Sequence, residues 1–166
     1  MKKTRVFTWI LFAAYLVVLV WVIVFKFGLV TIDPDRARLP INFVPFGASV
    51  LTNGRADVSE IIANVIAFVP LGLFLSMLEL PKKPWARILA GLAVSLVFEA
   101  AEYALAIGSA DITDVITNTL GTLIGVGACW AFKKLFKKKA ELIADIVFAV
   151  LLVLFLAAYT VLFLAN

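Results

Sequence analysis

The stretch GLAVSLVFEAAEYALAIGSADITDVITNTLGTLIG, residues 91–125, decides how this chain folds. It reads as two apolar helices joined by the short polar turn Gly108-Ser109-Ala110-Asp111. Inside apolar surroundings it carries Ser95, Glu99, Glu102, Asp111, Asp114 and Asn118. Carboxylates and carboxamides at membrane depth are costly to desolvate, so such groups mark a functional site by default. Composition justifies the membrane reading. Of the 166 residues 64% are hydrophobic and 16% charged, against about 45–50% and about 25% in a soluble domain. A chain of this length has too much surface relative to its core to hide that apolar area from water. The expected fold class is therefore all-α, an integral membrane bundle. A single domain over 1–166 is expected, because no Gly/Ser/Pro-rich linker and no internal repeat interrupts the chain.

The net charge of +4 is not a nucleic-acid signal, because the basic residues sit in short clusters at the ends of apolar runs, as membrane topology demands. Cys129 is the lone cysteine and lies in an apolar run, which excludes a disulfide framework within one chain and reads as small packing. Histidine is absent, which removes the commonest metal ligand, general base and pH switch.

Apolar runs of about 20 residues, enough to span the hydrocarbon core, place helices at about 6–26, 60–79, 85–107, 112–132 and 141–165. The first follows Met1-Lys2-Lys3-Thr4-Arg5. From Val6 to Phe25 it exceeds the apolar region of about 7–15 residues in a signal peptide and has no small-x-small cleavage site, so it is expected to be retained. In the connection Thr31–Ser59, Pro34, Pro40 and Pro45 argue against one continuous helix. Its apolar segment Ile41–Phe46 is too short to span and either lies on the membrane surface or dips back against the helices. Ser59 is the expected N-cap of the second helix, where the negative charges of Asp57 and Glu60 are also favoured; Pro70 and Gly72 predict a kink in that helix. Lys2, Lys3 and Arg5, then Lys82, Lys83 and Arg87, then Lys133, Lys134, Lys137, Lys138 and Lys139 account for eleven of the fifteen basic residues. If these three segments are cytoplasmic, five spans with the N-terminus inside and the C-terminus outside satisfy the positive-inside rule at every loop. Asp145, near the start of the fifth helix, is expected at the cytoplasmic interface.

Depth gathers the polar groups. Glu99 lies 14 residues beyond Trp85, about 21 Å up a helix and so in the outer half of a core about 30 Å thick. Glu102, Asp111, Asp114 and Asn118, together with Glu60 and Asn64 at the start of the second helix, fall in the same half. Gly91, Ser95, Glu99 and Glu102 share one face of the third helix within about 80°, as do Asp111, Asp114, Asn118, Gly121 and Gly125 on the fourth. Gly91 with Ser95, and Gly121 with Gly125, are small-xxx-small pairs. The third and fourth helices are therefore expected to pack tightly on each other below and open into a polar pocket above. Plainer roles are capping for Asp111, Asp114 and Glu60, and inter-helix hydrogen bonding for Asn64 and Asn118. Glu99 has no basic neighbour on its own helix. It is either protonated, bound to a cation or paired with Arg36, Arg38 or Arg55. No familiar catalytic motif is present, which favours a binding protein over an enzyme.

In its motifs the chain resembles the VanZ-like family. The carrying residues are Asn42-Phe43-Val44-Pro45-Phe46, Asn64 to Gly72, Ser95-Leu96-Val97-Phe98-Glu99, and Asp111 to Gly121 with Gly125, together covering about 41–127. Two positions depart from the family pattern: Glu102 stands where Gln is usual, and Gly108 where Arg is usual. The resemblance implies a multi-pass protein of the bacterial plasma membrane, tied to the cell envelope and to glycopeptide or lipoglycopeptide (teicoplanin-type) resistance. On that basis the leading expectation is a binding protein. Glu99 would be its central charge, with Glu102, Asp111, Asp114, Asn118, Asn64, Asn42 and Glu60 shaping an outward-facing acidic pocket. The expected ligand is a membrane lipid, a lipid-linked wall precursor or the antibiotic. One alternative is a membrane enzyme acting on a lipid phosphate or wall precursor, with a divalent cation on Glu99, Glu102 and Asp114. Another is a small transporter or flippase subunit, which would need to form an oligomer to enclose a path.

Overall fold

The computed structural model describes residues 3–25, 41–47 and 58–165. Among these the fold is all-helical. Helix α1 spans Lys3–Ile23, α2 Ser59–Met77, α3 Pro84–Ala104, α4 Ile112–Phe136 and α5 Ala140–Ala165. Four helical stretches are long and apolar enough to cross a membrane: Arg5–Ile23, Ser59–Met77, Pro84–Ala104 and the 50-residue Ile112–Val161. The fourth stretch contains α4, a short 3-10 turn at Lys137–Lys139, and α5. Lys137 adopts a φ of 48° at the end of α4. Beyond the turn the chain doubles back, so that Ala140, Glu141 and Ala144 share a small pocket with Cys129, Phe132 and Lys133.

Successive helices alternate in direction. Arg5 Nη2 donates to Leu78 O at 3.3 Å and the Tyr15 hydroxyl to Ala67 O at 2.7 Å, which sets α1 antiparallel to α2. The Tyr15 bond falls next to Ile66, whose carbonyl has no N–H from Pro70 to receive, and α2 runs on unbroken through that proline. Thr8 meets Asp145, Tyr15 meets Phe148 and Trp21 meets Tyr159, so α5 runs parallel to α1. Phe12, Tyr15, Phe68, Phe74 and Phe98 build the buried aromatic core where α1, α2 and α3 meet, with Phe148 of α5 edge-on to Phe74 at 4.6 Å. Ile10, Val17, Ile66, Val97, Leu123 and Val153 remain exposed, as expected of side chains that face lipid.

Lipid tails are as apolar as leucine, so burial alone does little to bring such helices together; close backbone approach and hydrogen bonds do. The closest approach is between α2 and α4, which run parallel. A Cβ built on Gly72 would strike Thr122 O, one on Gly121 would strike Val65 O, and one on Gly125 would strike Val69 O and stand 3.0 Å from Gly72 Cα. The glycine pair therefore joins α4 to α2, where the sequence predicts α3. Gly91 of α3 instead faces Thr122. At about 100° per residue, the midpoint of Gly121 and Gly125 is turned roughly 60° from that of Asn118 and Thr122. The small stripe of α4 thus has two edges, one for each neighbour.

Two further expectations are corrected. Ser59 is not the N-cap of α2. Val58 holds that position with helical φ and ψ of −85° and 0°, and Ile62 N donates to Val58 O at 3.0 Å, so Ser59 already lies inside the first turn. Asp145 does not face the interface. It is 1% exposed and accepts a 2.8 Å hydrogen bond from Thr8 Oγ1 of α1, a partner 137 residues away that sequence proximity cannot supply. Asp57, Arg36, Arg38 and Arg55 lie outside the described residues.

The glycine contact sets an expected outcome. Gly125→Leu forces a side chain against Val69 O, a backbone atom that cannot swing aside, and should cost at least the upper end of the roughly 1–3 kcal/mol typical of overpacking. Immunoblots of membrane fractions should show that variant nearly lost. Gly127→Ala, at a position with nothing within 4 Å, should accumulate normally.

Candidate functional site

The site is built where three connections meet at the acidic end of the bundle. Helix α3 ends in a Schellman arrangement: Ala106 has a φ of 54°, Ile107 N donates to Glu102 O at 3.1 Å, and Ala106 N donates to Tyr103 O at 3.3 Å. The chain then turns through Gly108 and Ser109 to Asp111, which caps α4 by accepting from Thr113 N at 2.7 Å. Aspartate suits this position because its short side chain reaches the free amide two residues on.

Asp111 is also the joint for two other elements. Its backbone N–H donates to Glu99 Oε2 at 2.8 Å, drawing α3 to the start of α4. Its Oδ2 accepts from Asn42 Nδ2 at 2.9 Å. Asn42 pairs with it in an isolated parallel β-bridge, Asn42 N to Ala110 O at 2.8 Å and Ile112 N to Asn42 O at 3.0 Å. Phe46 N donates to Thr113 Oγ1 at 2.9 Å and Val44 N to Asn42 Oδ1 at 3.0 Å. Of the two courses open to the 41–46 segment, the structure shows docking on the helices. The segment rests as a strap on the α3–α4 turn, while Phe43 and Val44 project outward, 75% and 64% exposed.

Below this joint, polar pairs descend on both edges of α4. Toward α2, Asn64 Nδ2 donates to Asp114 Oδ1 at 2.8 Å. Toward α3, Asn118 Nδ2 donates to Ser95 Oγ at 2.9 Å, both residues fully buried. Here Glu99 Oε1 and Asn118 Oδ1 are buried with no hydrogen-bond partner among the described residues. Glu99 is 6% exposed, yet it borders a cleft of about 120 Å³. Ile41, Asn42 and Phe43 of the strap form one wall of that cleft. Leu96 on α3 and the stretch Ala110–Ile112 with Val115 form the other. The surface that the cleft exposes is apolar, with Glu99, Asn42 and Asp111 among the residues that line it.

The structure thus brings together Asn42, Asn64, Ser95, Glu99, Asp111, Asp114 and Asn118. Glu102 is buried on the same face of α3 but turns to the loop, where a Cβ on Gly108 would run into its Oε2. Glu60 stays exposed in the first turn of α2. Among the described residues, Glu99, Glu102 and Asp114 included, no three His, Cys, Asp or Glu side chains are grouped so as to hold a metal ion. Sequence reasoning passed over Thr113, Thr117 and Thr122, all at most 2% exposed. Thr113 anchors the strap and Thr122 fills the space beside Gly72 and Gly91. Only Thr122 carried a signal in the sequence, lying about 40° from Asn118 on α4, whereas Thr113 and Thr117 fall about 140° and 100° away from it.

Comparison with known proteins gives two findings. The VanZ/LLP1 family model matches residues 12–137. Protein VanZ of Enterococcus faecium is 36% identical over 158 residues, covering 90% of this chain and 91% of that protein. No solved structure matches the chain.

Asp111→Ala should remove the cap of α4 and the side-chain tie to the strap together, lowering stability by about 1–2 kcal/mol in thermal unfolding of the purified protein. Asn42→Ala should leave the cap intact and shift the melting point less, while speeding proteolytic cleavage within 41–47.

Proposed function

Because the chain belongs to the VanZ/LLP1 family, we propose that it contributes to teicoplanin-type glycopeptide resistance as a multi-pass protein of the bacterial plasma membrane. It does so by binding an amphiphile in the cleft between the strap and helices α3 and α4. One observation carries this reading: Glu99, in an apolar helix beside the cleft, holds one carboxylate oxygen on the Asp111 amide and leaves the other buried without a partner among the described residues. Stranding a buried acceptor costs about 1–3 kcal/mol, more for a charged group, and a ligand that supplies a donor recovers that cost. Asn118 Oδ1 is likewise buried without a partner among the described residues, and Asp111 and Asp114 lie on the same end of α4, so this end of the bundle is rich in acceptors. The ligand it suits presents ammonium, amide N–H or hydroxyl donors beside an apolar portion. A lipid with an amine head group, a lipid-linked wall precursor with its peptide, and a lipoglycopeptide all meet that description.

The bundle spans the membrane five times, with the cleft on the outer side. The alternating helix directions support this reading. So does length: 50 residues from Ile112 to Val161 would extend about 75 Å as one straight helix, far beyond a core of about 30 Å. Cations at the Lys82–Lys83 and Lys133–Lys139 turns favour the cytoplasmic side for the opposite face. Impermeant thiol reagents should therefore label a cysteine introduced at Phe43 in intact cells, and should reach one introduced at Lys138 only after permeabilisation.

Glu99→Gln tests the site itself. The variant should reach the membrane at wild-type abundance and lose most of the protection against teicoplanin in a host that the wild type protects. Unchanged susceptibility at unchanged abundance would reject the site.

A further inference from the structure

A second cleft, of about 310 Å³, opens at the lysine-rich end of the bundle, far from Glu99, where α2, α3 and α4 come together. Its wall combines Ser76 of α2, Pro84 and Arg87 of α3, and Gly127, Trp130 and Lys133 of α4. Three features of this wall point to an anion. Arg87 is braced from the inner side of its guanidinium, Nε on Pro81 O and Nη2 on Lys82 O, each at 2.8 Å. A guanidinium has five N–H donors, so donors remain after both bonds are made. Lys133 uses one of its three donors on Ser76 O at 3.1 Å. Ser76 itself is 3% exposed, and its hydroxyl is buried without a hydrogen-bond partner among the described residues. Two positioned cations and an unpaired hydroxyl on one cleft form a donor set without a matching acceptor. Gly127 has open space where a Cβ would be, and the exposed Trp130 ring adds an apolar flank.

We propose that this cleft binds a phosphate group, held by Arg87, Lys133 and the Ser76 hydroxyl. A tetrahedral oxyanion matches the set, since arginine and lysine both pair with phosphate oxygens and the hydroxyl donates to a third. The group is either the phosphodiester of an anionic lipid, whose chains run down the Gly127–Trp130 flank, or free phosphate from the adjoining aqueous phase. Basic pockets between membrane helices on that side are suited to anionic head groups.

Native mass spectrometry of the full-length protein in detergent tests this, with phosphatidylglycerol, phosphatidylcholine and inorganic phosphate as separate additions. Wild type should retain one phosphatidylglycerol more tightly than phosphatidylcholine. Arg87→Gln/Lys133→Gln should weaken that first binding event by about tenfold or more, and Ser76→Ala, which removes only a hydroxyl, by a few-fold. Lys138→Gln/Lys139→Gln, which removes the same charge from exposed positions, should leave it unchanged. Competition by millimolar inorganic phosphate identifies free phosphate as the source, and its failure to compete identifies the lipid. Equal losses in the two double variants, or retention of phosphatidylglycerol no better than phosphatidylcholine together with no phosphate adduct, would overturn the proposal. Should the Arg87→Gln/Lys133→Gln protein fail to accumulate, Ser76→Ala decides alone: wild-type retention in that variant overturns the site.

Discussion

The contact on which the rest of the structure depends is the meeting of two backbones, α2 at Gly72 and α4 at Gly121 and Gly125. In water the apolar effect would gather such helices without detailed fit. In hydrocarbon it does not distinguish helix from lipid, so association rests on what lipid cannot provide. Carbonyl oxygens of Val65, Val69 and Thr122 sit where side chains would stand on any other residue. That closeness brings Asn64 within reach of Asp114 and fixes the orientation of α4. The opposite edge of α4, with Asn118 and Thr122, is then presented to Ser95 and Gly91 of α3. The aromatic core of α1 and α2 closes the bundle on the other side.

Asp111 turns this packing into a site. One residue caps α4, receives the strap and offers its amide to Glu99. Capping, the plainer role considered for it, and participation in the site are therefore the same arrangement. The carboxylate of Glu102 occupies the space beside Gly108. A large side chain at 108 could not stand there with Glu102 in its present place, so the two positions are sterically coupled.

How much of this was legible in the sequence depended on the kind of signal. Helices were legible because apolar length reports them directly. The gathering of Asn64, Glu99, Asp111, Asp114 and Asn118 was legible because rise per residue converts position into depth. The partner of the glycine pair was not, because small residues reveal a face but not the neighbour that uses it. Asp145 was misjudged for a related reason: its partner Thr8 is on α1, and no local pattern joins positions 8 and 145. The docking of Asn42 was hidden because it uses backbone groups, which every residue carries alike. The lysine-rich cleft was overlooked because its cations satisfied a topology rule and drew no further question.

The parallel course of α2 and α4 has a final consequence. Antiparallel neighbours cancel each other's backbone dipoles, whereas these two add, setting two positive helix ends side by side where Asp111, Asp114 and Glu60 lie. The oxygen of Glu99 that is bonded rests on the amide that begins α4. The acidic cluster therefore has a counter-ion made of peptide groups. Such a counter-ion has no proton to lose, no side chain to swing away and no place at which a competing anion could carry it off. It favours acidic groups at this depth without any cationic side chain bonded to Glu99 among the described residues.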